Sequence, residues 1–218
     1  MIAQVYGITT VDDARLVAAL GADHVGVVPE ITPGNWDGVT ADEANAIVAA
    51  LADVTAVVLS LATTPDAVVD TARAVPGDVV HVVRTDVLGA DGVAAVRGAV
   101  ERAVMATVGV DGPGALDHAV DLAPVADYLL LDSRHPGTGV VGASGHTHDW
   151  SLSAAIVERV DRPVILAGGL GPDNVEEAMA RVRPWGVDSE TRTSRDDDRR
   201  RKDPERVRRF VELAHGRP

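Results

Sequence analysis

Tyr128-Leu129-Leu130-Leu131-Asp132 and, further along, Val164-Ile165-Leu166-Ala167-Gly168-Gly169-Leu170 are the stretches on which the fold of this chain turns. Each is a short, unbroken apolar run that empties at its C-terminal end into polar or glycine residues. The first delivers a carboxylate, Asp132, onto a glycine-rich loop that runs on to Asp149. The second ends in paired glycines ahead of a helix opening over Pro172 to Asn174. Continuous rather than alternating apolar character implies burial on both faces, which is the pattern of a parallel sheet. A parallel strand whose C-terminal end opens into a flexible turn is where barrel and open α/β enzymes place their sites.

Outward from these stretches the same alternation repeats. Val- and Ile-rich runs at residues 2–6, 24–28, 55–61, 79–83, 103–110, 128–131, 164–167 and 186–188 read as eight strands. Helical patterns lie between them at 10–20, 41–51, 65–74, 92–100, 116–122, 152–160, 175–182 and 204–215. Thr10 followed by Asp13 resembles a capping box, and Thr64 before Pro65 reads as an N-cap with proline in the first turn. Eight βα units within 218 residues predict a single (β/α)8 barrel over residues 1–218, with a doubly wound open sheet as the other arrangement. There is no linker or low-complexity block, and residues 190–202 look the least ordered.

Composition narrows the chemistry. A chain with 46% hydrophobic residues and one Phe builds its core from Val, Ala, Leu and Ile. With no cysteine it has no disulfide, thiolate nucleophile or thiolate metal ligand. No apolar run reaches the ~18 residues of a membrane span, and the N-terminus lacks a signal pattern, so a cytoplasmic protein is expected. The net charge is −13, and Lys202 is the only lysine among 20 basic residues. Such an acidic surface repels itself in dilute buffer and is relieved by salt, as in halophilic proteins. It also repels nucleic acid. The one basic run, Arg199-Arg200-Arg201-Lys202, follows three aspartates and reads as a solvated, self-compensating loop.

Taken in order, Tyr6-Gly7-Ile8-Thr9 with Asp13-Ala14, Gly21-Ala22-Asp23, Leu129-Leu130-Leu131-Asp132, Gly142-Ala143-Ser144-Gly145 with Asp149-Trp150, Leu166-Ala167-Gly168-Gly169-Leu170 with Pro172 and Asn174-Val175, Gly186-Val187-Asp188 and Lys202-Asp203 resemble the phosphoribosylanthranilate isomerase family. The resemblance implies one (β/α)8 barrel acting in tryptophan biosynthesis without a cofactor. It implies an aldose-to-ketose (Amadori) isomerisation of an aminoaldose phosphate. A general acid on the sixth strand opens the furanose ring, and a base on the first strand removes the C2 proton.

Carried over by position, Asp132 takes the acid's place, a role that needs a carboxyl protonated near neutral pH. Tyr6 stands where the family has the cysteine of its base, and a phenol of pKa about 10 is a poor base. His148, in the loop after the sixth strand, is the other candidate. Gly168 and Gly169 would bring backbone N–H groups and a helix N-terminus to a phosphate, with Gly145, Thr191 and Arg192 beside them. In place of the family's Ser-Ser-Gly the chain reads Glu190-Thr191-Arg192, and Glu190 would oppose an anion. Residues 32–36 replace a usual arginine, and His81-Val82-Val83-Arg84 replaces Gln-Leu-His-Gly. These departures imply altered substrate recognition, with Arg84 and Ser144 as candidate contacts.

Two further functions compete with the isomerase. A barrel stripped of its chemistry would serve as a phosphate-ligand binding or regulatory protein. His135, His146 and His148 with Asp149 would instead suit a metal-assisted lyase or hydrolase, although loop histidines without metal are the simpler reading. The expected partner is a small phosphorylated or carbonyl substrate, on a monomer or homodimer. Other features read as structural. Trp150 and Trp185 pack between outer helices and barrel, His24 and His81 are satisfied structural residues, and Asp188 anchors its strand end through backbone bonds. Arg206, Arg208 and Arg209 are solvated charges.

Overall fold

The computed structural model describes residues 1–133 and 149–216. Its strands are β1 (Ile2–Val5), β2 (His24–Val27), β3 (Thr55–Ser60), β4 (Val79–Val82), β5 (Ala103–Gly109), β6 (Tyr128–Asp132), β7 (Val164–Leu166) and β8 (Gly186–Ser189). The helices are α1 (Val11–Ala19), α2 (Ala41–Ala49), α3 (Pro65–Ala74), α4 (Thr85–Ala99), α5 (Gly114–Leu122), α6 (Trp150–Arg159), α7 (Val175–Val182) and α8 (Pro204–Ala214). Every strand pairs in parallel with its sequence neighbour, and β8 closes on β1. The structure is the closed (β/α)8 barrel that the apolar runs predict, and the open sheet is excluded. Among the described residues no helix is long and apolar enough to cross a membrane.

Two apolar cores follow from the period of two along each strand. Outward-facing Val5, Val25, Val58, Val80, Val104, Leu129, Leu131 and Leu166 pack against the helices. Inward-facing Tyr6, Val57, Val79, Met105, Leu130, Ile165 and Ala167 fill the barrel. Tyr6 is the bulkiest of the inner set, and it fits because the neighbouring strand offers Gly26. A Cβ there would lie inside the Tyr6 ring.

The strands' N-terminal ends are tied by aspartates that stand just before the next strand. Asp23, Asp78 and Asp127 accept the backbone N–H of Ala3, Ala56 and Val104 at 2.8, 2.8 and 2.9 Å. Trp185 is 39% exposed at this end, stacked on Tyr128 at 5.4 Å, rather than wedged behind a helix. Trp150 is buried beneath Arg181, whose guanidinium carbon lies 5.3 Å from its ring centre, and its indole N–H has no partner among the described residues.

Helix starts depart in detail from the local sequence signals. Thr10 does cap α1, but Asp13 leaves the capping box unclosed and pairs with Arg201 at 2.8 Å. The complete box is Thr40 with Glu43 at the start of α2. Helix α4 begins earlier than its apolar pattern and breaks at Gly89, whose φ of 62° only glycine adopts easily.

The segment after β8 corrects two expectations. A short 3-10 turn (Thr191–Thr193) is followed by a bridge between Ser194 and Lys202. Arg201 meets the buried Asp13, and Arg200 donates to the Trp36 carbonyl at 2.6 Å. Lys202 is fully buried, donating to the Glu190 carbonyl at 2.8 Å and the Ser194 hydroxyl at 3.1 Å. The basic run is therefore a strap pinned along the β1, β2 and β8 side of the barrel mouth. Nor is Arg206 merely solvated, since it donates to the Ser194 carbonyl and to Asp196, both at 2.9 Å.

Candidate active site

A cleft of about 630 Å³ opens at the C-terminal ends of the strands. It is lined by Tyr6, His81, Thr107, Asp132, Asp188 and Glu190 from the strand ends, and by Thr32 to Asp37, Arg84 and Arg199 from the loops. Asp132 is the last residue of β6, and its Oδ1 accepts the Ser133 N–H at 2.6 Å. Apolar Leu130 and Ile165 lie inside the barrel below it, so little water is available to its charge. Burial accordingly pushes the Asp132 carboxyl up to about 7, against a smaller opposing pull from the Ser133 N–H.

Asp188 does not anchor β8 through backbone bonds. Inward orientation puts its carboxyl in the cleft, where Oδ1 accepts from the Gln4 amide at 3.2 Å. Gln4 is held in turn by His24 Nδ1 at 3.1 Å. Burial, then the nearby Asp132, push Asp188 up to about 8, while Gln4 and Lys202 oppose the rise. Two carboxyls in one apolar pocket cannot both ionise easily.

Tyr6 is only 4% exposed and its hydroxyl lies 2.6 Å from His81 Nδ1. His81 Nε2 lies 2.7 Å from the Thr107 hydroxyl. The three side chains form a hydrogen-bonded bar from β1 through β4 to β5. Burial drives His81 down to about 3, so its ring is neutral, and drives the Tyr6 phenol further above its ordinary value, helped by Asp188, Glu190 and Asp37. Thus His81 is satisfied, as expected of a structural histidine, yet it also lines the cleft.

On the β1, β2 and β8 side of the mouth, Asp37 and Glu190 are hydrogen-bonded to one another beside the Trp36 ring and Lys202. Burial raises both carboxyls, and the Asp37 charge adds to the rise at Glu190. Burial also lowers Lys202 to about 8, against the pull of Glu190, Asp188 and Asp37.

Gly168 and Gly169, with φ of 86° and 61°, form a turn pinned by Asn174, which donates to the Gly169 carbonyl at 3.0 Å and accepts from the Gly171 N–H at 2.9 Å. Arg192 packs on Gly171, so Gly168, Gly169, Thr191 and Arg192 share one corner beside β7 and β8. The Arg192 guanidinium is engaged by Asp173 at 2.7 Å. Arg84, at the opposite rim, pairs with Asp86 at 3.0 Å. His135, Ser144, Gly145, His146 and His148 lie outside the described residues.

The residues that the linear reading passed over are Asp188, Asp37 and Lys202. Period-two alternation carried a signal for one of them, because Asp188 shares its face with Glu190 two positions on.

A parallel barrel with a protonatable carboxyl at the end of a strand, facing a cleft at the C-terminal mouth, is the architecture of barrel enzymes. The family model described as N-(5'-phosphoribosyl)anthranilate (PRA) isomerase matches residues 98–212. The N-(5'-phosphoribosyl)anthranilate isomerase of Haloferax volcanii is 38% identical over 191 residues, covering 85% of this chain and 80% of that one. A monomeric form of the dimeric phosphoribosylanthranilate isomerase of Thermotoga maritima superposes with a TM-score of 0.80 at 26% identity, over 99% of this chain and 100% of that chain. A phosphoribosylanthranilate isomerase complexed with reduced 1-(o-carboxyphenylamino)-1-deoxyribulose 5-phosphate gives a TM-score of 0.79 at 26% identity, again over 99% and 100%. The chain belongs to the phosphoribosylanthranilate isomerase family.

Proposed function

We propose that this chain is an isomerase of the family's type, converting a phosphorylated aminoaldose into the aminoketose in a cytoplasmic setting. The observation that carries the reading is Asp132, at the end of β6 in the cleft with its carboxyl raised to about 7. Ring opening requires a proton delivered to the furanose oxygen, and a carboxyl with a pKa near the working pH both keeps that proton and releases it readily. Neither the ligand-binding barrel nor the metal-assisted lyase has support of this kind.

The ligand of the related complex is an arylamino sugar phosphate. A molecule of that kind suits this mouth with its phosphate at the corner of Gly168, Gly169, Thr191 and Arg192. There, backbone N–H groups of the glycine turn and a guanidinium released from Asp173 would receive it. Its aryl end would lie towards Trp36, Asp37 and Glu190. That wall carries charges of both signs, because the Arg199 guanidinium carbon lies 5.0 Å from the Trp36 ring centre beside Asp37 and Glu190, and with Arg84 on the rim it would receive a ring substituent differently from the family's own site.

Turnover of N-(5'-phosphoribosyl)anthranilate in molar KCl tests the reading. The wild-type chain should convert it with a raised KM, and Asp132→Asn should lower kcat by about 10² or more. A folded protein without turnover at any accessible substrate concentration sinks the proposal.

A further inference from the structure

The isomerisation needs a group to take the C2 proton, and Tyr6, in the position of the family's base, is a poor fit. Its hydroxyl is tied to His81 at 2.6 Å, and His81 is itself occupied by Thr107 on the other ring nitrogen. Whichever nitrogen carries the proton, both rings stay neutral. The remaining titratable groups of the cleft can be sorted by what already holds them. Glu30 accepts the Leu61 N–H at 3.3 Å. Asp37 and Glu190 are bonded to one another. Asp132 is the acid. Asp188 is left.

We propose that Asp188 is the general base of this barrel, acting opposite Asp132 across β7, in a role that rests on the isomerase reading above. Its placement carries the assignment. Leu131 of β6, Leu166 of β7 and Val187 of β8 are register partners in one row. Asp132 and Asp188 are the residues that follow in their strands, so both stand at the same level, facing inward, two strands apart. At a strand spacing of about 4.8 Å their backbones are roughly 10 Å apart, which leaves room for the reacting sugar carbons between two inward-pointing carboxyls. Among the described residues the Gln4 amide engages Oδ1 of Asp188, and Oδ2 is the oxygen that would take the proton.

The proton account closes. Asp132 gives its proton to the ring oxygen as the C1–O bond breaks and the C1–N iminium forms. Asp188 takes the proton from C2, and those electrons form the C1–C2 double bond of an enaminol. Ketonisation returns a proton from Asp188 to C1, while the C2 hydroxyl proton replaces the one lost by Asp132. Nothing is oxidised by an outside reagent, because C1 is reduced as C2 is oxidised. Burial and then Asp132 favour a proton on Asp188, with Gln4 from β1 and Lys202 from the strap opposing, and Glu190 and Tyr6 also face it; the two carboxyls therefore share protons, and the reactive form is the one with the proton on Asp132 and the charge on Asp188.

Kinetics on N-(5'-phosphoribosyl)anthranilate with folded variants test the assignment. Asp188→Asn should lower kcat by about 10² to 10⁴ with a smaller change in KM, whereas Tyr6→Phe should lower it by less than about tenfold. Asp188→Ala should regain turnover on addition of formate or acetate, a response that a merely structural role would not give. An Asp188→Asn rate close to the wild-type rate, rather than the ~10²-fold or greater loss of a missing base, would overturn the base while leaving the isomerase intact. A larger loss in Tyr6→Phe than in Asp188→Asn would do the same. Absence of wild-type turnover removes both proposals together.

Discussion

At the level of single residues, the barrel interior assigns roles that residue type alone does not. Asp132 and Asp188 are both carboxylates on strand ends, yet the motif points to an acid role only for Asp132, and Asp188 reads as a strand anchor. Burial in a shared apolar pocket raises both, to about 7 and about 8. That has a consequence for folding. A carboxyl whose folded pKa lies above its ordinary value of 3.8 binds more protons folded than unfolded, so stability falls as pH rises from about 4 through 7 to 8. Asp132→Asn and Asp188→Asn should therefore be more stable than wild type at pH 9, by on the order of a few kcal/mol, and close to it near pH 4. Denaturant melts of each pair at the two pH values measure this, and a gap that widens towards acid would contradict it. Tyr6 shows the limit of linear reading from the other side. Period two turns it inward, but no local pattern announces that its partner is His81, 75 positions away.

Among the elements, the strands were the best predicted and the loop after β8 the worst. All eight strands lie where the apolar runs place them, with ends shifted by one residue or not at all. They are determined by local chemistry, because a strand buried on both faces must be apolar throughout. The strap looked like a solvated charge run because aspartate and arginine dominate it. It is ordered by bonds to distant groups: Arg201 to Asp13, Arg200 to the loop after β2, and Lys202 to the turn after β8. Lys202→Met should cost about 3–5 kcal/mol, since it strands buried acceptors and removes the cation beside Glu190, Asp37 and Asp188. A solvated lysine would cost less than about 0.5 kcal/mol. Chemical denaturation at fixed salt separates the two.

For the whole molecule, the governing quantity is a net charge of −13 carried on a surface with one lysine, itself buried. Repulsion among exposed aspartates and glutamates opposes the compact state and is screened within roughly 10 Å at 0.1 M salt and 3 Å at 1 M. The melting temperature should climb steeply as KCl is raised from 0.1 to 2 M, values chosen to span roughly that screening range, and thermal scans in a KCl series read it directly. A melting temperature indifferent to salt would mean that the acidic surface is no adaptation to saline conditions. Its relatives in Haloferax and Halobacterium are consistent with the saline reading.

By itself the sequence determined the barrel, the order of its units, the place of Asp132 and the family. All of these rest on short-range regularities, namely apolar runs, turn residues and motifs in fixed order, which survive projection onto a line. Tertiary structure alone decided which carboxyl faces Asp132, that Tyr6 is locked to His81, and that the basic run is a buried tie. Those depend on register across β6, β7 and β8 and on closure of β8 against β1. Closure makes neighbours of residues nearly two hundred positions apart, as with Gln4 and Asp188, and desolvation of a charge depends on all of its neighbours at once.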